Sequence, residues 1–196
     1  MKKLLGFLVL GLMFISAPSY ADDIKDFEIE GMSIGDSLLD FFTKELILKE
    51  HQNVYDGQNN YKVLFLENPK FNLEKYDALQ IHFEINDRNY SIKGLDAFIY
   101  YKNDIENCYS DKTKIGESIF TSIKADRIKT DKAIHPGDNT GKSTYERSSI
   151  FLGAKSVAAE IEIICYDNSK EFIYTDKLSI TLYSDEYGDF LYNYYK

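Results

Sequence analysis

The chain has 196 residues, 44% of them hydrophobic and 28% charged, proportions that suit one globular domain with a substantial core and exclude a disordered or collagen-like chain. With 23 basic and 32 acidic residues the net charge is -9, and the pI lies near 4.9. Like charge opposes a nucleic-acid backbone or an anionic membrane surface, so neither is an expected partner.

Lys2 and Lys3 lead an apolar run from Leu4 to Ile15, followed by small residues up to Ala21. That order predicts a secretory signal peptide over residues 1–21, because a run of 12 falls short of the roughly 18 apolar residues needed to span a bilayer. No cysteine follows the apolar run, so lipidation is not indicated, and nothing later in the chain is apolar enough to re-enter a membrane. Cleavage removes two lysines and leaves 21 basic against 32 acidic residues, or -11. The mature chain, 22–196, is expected as one acidic domain in the periplasm or outside the cell, with two lobes divided at residues 124–143 as the alternative.

Ser33 to Glu50 predicts two short helical pieces, the first capped by Ser33 or Asp36 and the second by Thr43. From Tyr61 the hydrophobic period becomes two. Val63 and Phe65, then Ile81, Phe83 and Ile85 alternate with polar residues that include Gln80, His82 and Glu84, which predicts half-buried strands. Tyr90–Ile92 and Ala97–Tyr101 extend a meander interrupted at Gly94.

Ile105, Cys108, Lys112, Ile115, Ile119 and Ile123 step by three and four and predict a helix. Residues 124–143 are polar, hold Pro136, Gly137 and Gly141, and predict a long mobile loop. Val157, Ala159, Ile161, Ile163 and Cys165 then share one strand face, as do Leu178, Ile180 and Leu182. Ser184-Asp185-Glu186 caps a closing helix with Tyr187, Phe190, Leu191 and Tyr194 on one side. One-sided strands with short connections indicate an α+β fold: antiparallel sheet with a few helices packed on one face.

Three motifs invite a chemical reading. Gly35-Asp36-Ser37-Leu38 resembles the nucleophile block of the GDSL (SGNH) hydrolases, a resemblance that implies an exported esterase with Ser37 as nucleophile. The family's other blocks do not follow: His51, His82 and His135 have Leu48, Leu79 and Lys132 three positions earlier, where an orienting Asp is required. Gly137-Asp138-Asn139-Thr140-Gly141-Lys142-Ser143 ends like a phosphate-binding loop but has three residues between its glycines where four are needed, so it reads as a polar turn. His135 with Asp131 and Asp138 offers the donors for a divalent ion, against the plainer reading of a solvated loop. No cofactor or metal is therefore expected. The abundant tyrosines read first as rings on a half-buried sheet, with a docking or sugar-binding patch as the alternative.

The segment Phe27–Asp40, with the Tyr-rich meander and Cys108 after it, resembles small exported proteins of Pelagibacter-like marine bacteria that have no assigned function. The resemblance implies export and carries no catalytic residue. The Gly-Met-Ser start also resembles, more distantly, small outer-membrane assembly lipoproteins, from which this chain departs by lacking the lipidated cysteine.

Cys108 and Cys165 are the only cysteines, and exported proteins pair such residues by default. Cys165 ends a strand on its inward face and Cys108 lies on the apolar stripe of the central helix, so a disulfide between them is predicted. The functional expectation is a non-enzymatic exported protein that binds another envelope component through its sheet or the 124–143 segment. A GDSL-like esterase and a small-ligand carrier are the alternatives.

Overall fold

The structure is a computed structural model, and it describes residues 24–57, 60–122, 125, 127–152, 160–172 and 174–194. The leader expected over 1–21 lies outside them, as do Ile123, Val157 and Ala159. Eight strands form one antiparallel sheet: β1 (His51–Gln52), β2 (Tyr61–Glu67), β3 (Ala78–Glu84), β4 (Ile92–Tyr100), β5 (Arg127–Ile134), β6 (Thr144–Phe151), β7 (Ile161–Asp167) and β8 (Lys177–Tyr183). Their spatial order is β1-β2-β3-β4-β8-β7-β6-β5. The chain thus draws two four-stranded meanders and joins them where β4 pairs with β8. Between the meanders, helix α2 (Ile105–Ser122) carries the chain from the middle of the sheet to its far edge and packs on β7 and β8.

Period-two sequence gives the principal core. Leu64, Ile81, Leu95, Leu182 and Ile161 are successive register partners across five strands, and each is at most 2% exposed. The register places Leu79, Ala97, Ile180 and Ile163 beside them on the same face. Against this face sit Leu38, from a 3-10 turn over Leu38–Asp40, Ile47 of α1 (Lys44–Glu50), and Cys108 of α2. Thr43 caps α1 as expected, its hydroxyl accepting from the Leu46 N–H. The cap of the preceding turn is Ser37; Asp36 instead accepts from the Ser33 N–H.

Three expectations are corrected. The helices do not share one face: α3 (Asp185–Tyr194) lies on the side opposite α2, because its Tyr187 meets Gly94 and His82, whose register faces away from Leu95 and Ile81. Gly94 does not end the meander: β4 continues through it, and the irregularity is confined to a shift of register against β3 between His82 and Phe83, beside Gly94. The segment 124–143 is not one long loop. Arg127–Ile134 is a full strand paired along its length with β6, and only the residues between Ile134 and Thr144 form the connection.

That connection is a compact turn built on Asp138. Its carboxylate accepts from the Thr140 N–H and hydroxyl and from the Ser143 N–H and hydroxyl, at 2.6 to 2.9 Å. The Cys108 and Cys165 sulfurs lie 2.11 Å apart with their Cα atoms 6.0 Å apart, a disulfide between α2 and β7. No helix among the described residues is long and apolar enough to cross a membrane.

Candidate functional site

The motifs singled out in the sequence do not assemble into a catalytic centre. The Ser37 hydroxyl donates to the Asn89 carbonyl at 2.8 Å and accepts from the Leu39 N–H, so it serves as a cap. All three imidazoles have other contacts: His51 bonds the Ile47 carbonyl, His135 accepts from the Gly137 N–H, and His82 is held in the sheet by Asp96 and two tyrosines. Asp131 and Asp138 are likewise occupied, the first by Arg147 and the second by its own turn. No group of three metal-ligating side chains occurs among the described residues.

What the sequence hid is a buried polar chain under α3. His82 was expected on the solvent side of its strand and is 6% exposed. Its Nε2 lies 2.7 Å from Asp96 Oδ2, its Nδ1 lies 2.7 Å from the Tyr187 hydroxyl, and the hydroxyls of Tyr187 and Tyr55 bond each other. Thr181 donates to the other Asp96 oxygen at 2.6 Å. The chain is satisfied throughout when Asp96 is ionised and Nε2 carries the imidazole proton, leaving Nδ1 to accept from Tyr187. Burial, followed by the neighbouring Tyr55, raises the Tyr187 hydroxyl far above the ordinary tyrosine range, so it stays a donor. With both imidazole nitrogens occupied and the ring enclosed, this network locks α3 onto the sheet.

A second feature of the sheet is its open β5 edge. It stands last in the sheet order, and every residue from Arg127 to Ile134 except Asp131 is exposed, including Ile128 at 43% and Ile134 at 59%. One row of its backbone N–H and C=O groups pairs with β6; the other faces outward. The strand carries Arg127, Lys129 and Lys132 against Asp131, so it is basic on a chain that is strongly acidic.

Its position is held from behind. Arg147 of β6 grips Asp131 through Nε at 3.0 Å and a second nitrogen at 3.1 Å, and reaches Glu162 of β7 at 3.3 Å. Burial holds the Glu162 carboxyl above the ordinary range, against the smaller opposing pull of the Arg147 charge and the Ser149 hydroxyl. Arg127 stacks 3.9 Å over the Phe151 ring, and Lys132 lies 5.7 Å over the ring of Tyr109 on α2. An edge anchored in this way is preformed for pairing.

Edge strands are ordinarily blunted by lysine, which repels an uncharged or basic strand by its desolvation and charge. Toward an acidic strand the same lysines attract. No family model, no curated protein and no solved structure matches the chain.

Proposed function

We propose that the protein is an exported, non-enzymatic binding module that recruits another cell-envelope component by adding an extended, acidic segment of it to β5. The observation that carries this reading is the basic, exposed, eight-residue edge on an otherwise acidic molecule. Main-chain hydrogen bonds along the edge supply affinity, and Lys129 and Lys132 supply the preference for acid. The leader-like residues 1–21 and the Cys108–Cys165 pair support an oxidising, extracytoplasmic compartment.

The test is site-specific photocrosslinking in the cells that export the protein, with the crosslinker at Ile128 or Ile134 of β5, or at Phe120 of α2, which is 54% exposed and serves as the control. Both β5 positions are expected to give an adduct of one mass that disappears in Lys129→Glu/Lys132→Glu. No adduct from β5, or the same adduct from Phe120, overturns the reading. Export is checked on the same material by intact mass, which should begin at Asp22.

A further inference from the structure

A cleft of about 730 Å3 opens between the N-terminal segment, the turn ahead of α1 and the connection from β2 to β3. Met32 and Leu66, 3% and 1% exposed, form its floor, and Phe41, Phe42 and Phe71 contribute rings to its walls, the last with the Lys70 ammonium already 4.9 Å from its centroid. Both sides are tied in place. The Asn68 side chain donates to the carbonyls of Leu73 and Tyr76 and accepts from the Leu73 N–H, closing the β2–β3 connection on itself. Glu30 then fastens the N-terminal segment to that connection by accepting from the N–H groups of Glu74 at 3.1 Å and Lys75 at 2.7 Å.

The rim is charged in one sense. Glu28, Glu30, Asp40 and Glu74 line the opening against the single ammonium of Lys75. Glu30 is engaged by its two backbone donors; the carboxylates of Glu28, Asp40 and Glu74 have no hydrogen-bond or ion-pair partner among the described residues. Phe41 stands beside them with 39% of its surface in water. Three carboxylates without a partner among the described residues, in one cleft with the half-exposed Phe41 ring, suit a ligand that combines positive charge with hydrocarbon.

We propose that this cleft binds a linear aliphatic polyamine, whose ammonium groups meet the rim carboxylates while its methylene segments lie against Phe41 and Phe42. The volume falls within the roughly 300–1,000 Å3 of small-molecule sites. An ammonium over an aromatic face gains cation–π attraction in addition to its ion pair. A bare divalent cation lacks the converging oxygen ligands it needs here, since no metal-ligating group occurs among the described residues. An anion is repelled. The cleft adjoins β2, toward the opposite end of the sheet from β5, so the polyamine site stands or falls separately from the edge-strand reading.

The experiment is calorimetric titration of the full mature protein with spermidine at low ionic strength. Saturable one-to-one binding is expected, weakened by about 10-fold or more in Glu28→Gln/Asp40→Asn/Glu74→Gln and by about three-fold or more in Phe41→Ala, which leaves the charge intact. Glu106→Gln/Glu117→Gln/Asp189→Asn removes the same charge from exposed sites elsewhere and is expected to change the affinity by less than about two-fold. The proposal is overturned by absence of saturable binding, by equal weakening in the two triple variants, which would mean that spermidine reads net charge alone, or by displacement with equimolar Mg2+. All the substituted positions are on the surface, and circular dichroism of each variant verifies the fold.

Discussion

Replacing Gly94 with alanine probes the contact through which α3 closes the second face of the sheet. A Cβ at this position meets Tyr187 ring carbons at 2.7 and 2.9 Å and His82 Cδ2 at 3.3 Å. Carbon atoms settle at about 3.5–4.0 Å, so the ring must withdraw by close to an ångström. Tyr187 has no free space to enter: it is 0% exposed, with the rings of Tyr61, His82 and Phe190 at centroid distances of 5.2, 5.0 and 5.9 Å. Overpacking of this kind costs about 1–3 kcal/mol, and loss of the Tyr187–His82 hydrogen bond leaves a buried polar pair unsatisfied for about 1–3 kcal/mol more. The reduced freedom of the unfolded chain offsets about 0.4–1 kcal/mol of this.

The expected destabilisation is therefore about 1–5 kcal/mol, centred near 3, measured by urea unfolding of the disulfide-intact protein. In a Tyr187→Ala background the added methyl has room, and the cost of Gly94→Ala should fall to within about 0.5 kcal/mol of zero. A single variant that unfolds like the parent, or one whose cost is the same in both backgrounds, would refute the assignment of Tyr187 as the group that demands glycine.

Two further predictions concern the other ties in the molecule. Cys108→Ala/Cys165→Ala opens a constraint of 57 residues and is expected to lower stability by up to about 4 kcal/mol in the same unfolding assay; a loss under about 1 kcal/mol would remove the disulfide from the list of major contributors. Hydrogen bonds from Ser143 and Thr140 hold the Asp138 carboxyl far below the usual carboxylate range. A carboxyl depressed in the folded state contributes stability that is complete above its unfolded pKa of about 4 and is lost as the pH falls below it. The Tm difference between the parent and Asp138→Asn should accordingly stay level from about pH 5 to 7 and shrink below about pH 4. A difference that grows toward acid contradicts that sign.

The sheet was legible because a half-buried strand writes its inward face at every second residue, and Ile161–Ile163–Cys165 and Leu178–Ile180–Leu182 do so without interruption. The central helix was equally clear from its three-and-four spacing, and even Lys112 on its apolar stripe finds an outlet, its Nζ reaching Glu146 at 2.6 Å. Two features were hidden, for different reasons. His82 follows the polar phase of its strand, and local alternation says nothing of what covers that phase; the available signal was the aromatic stripe of Tyr187, Phe190 and Tyr194, which required a second sheet face to lie on.

β5 was hidden because an edge strand that is exposed on nearly all sides needs no hydrophobic face, so Arg127–Ile134 carries the composition of a loop. The surface most open to a partner was therefore the part least visible in the sequence. The cleft was invisible for a third reason. It depends on Glu30 reaching backbone donors of Glu74 and Lys75, more than forty positions along the chain, and no spacing rule encodes such a contact.

The pairing of β4 with β8 has a temporal meaning for a chain that is synthesised from its N-terminus. The first meander can form as soon as it emerges, but the outer edge of β4 stays raw until Lys177–Tyr183 arrives, after α2 and the whole second meander. Only then are the two halves one sheet, and only then does Tyr187, four residues beyond β8, reach the hollow left for it over Gly94. Such non-local pairing slows folding relative to a sheet closed by neighbouring strands alone. A chain whose final twenty residues are still within the ribosome is thus kept unfinished, because the strand that joins its two halves has yet to arrive.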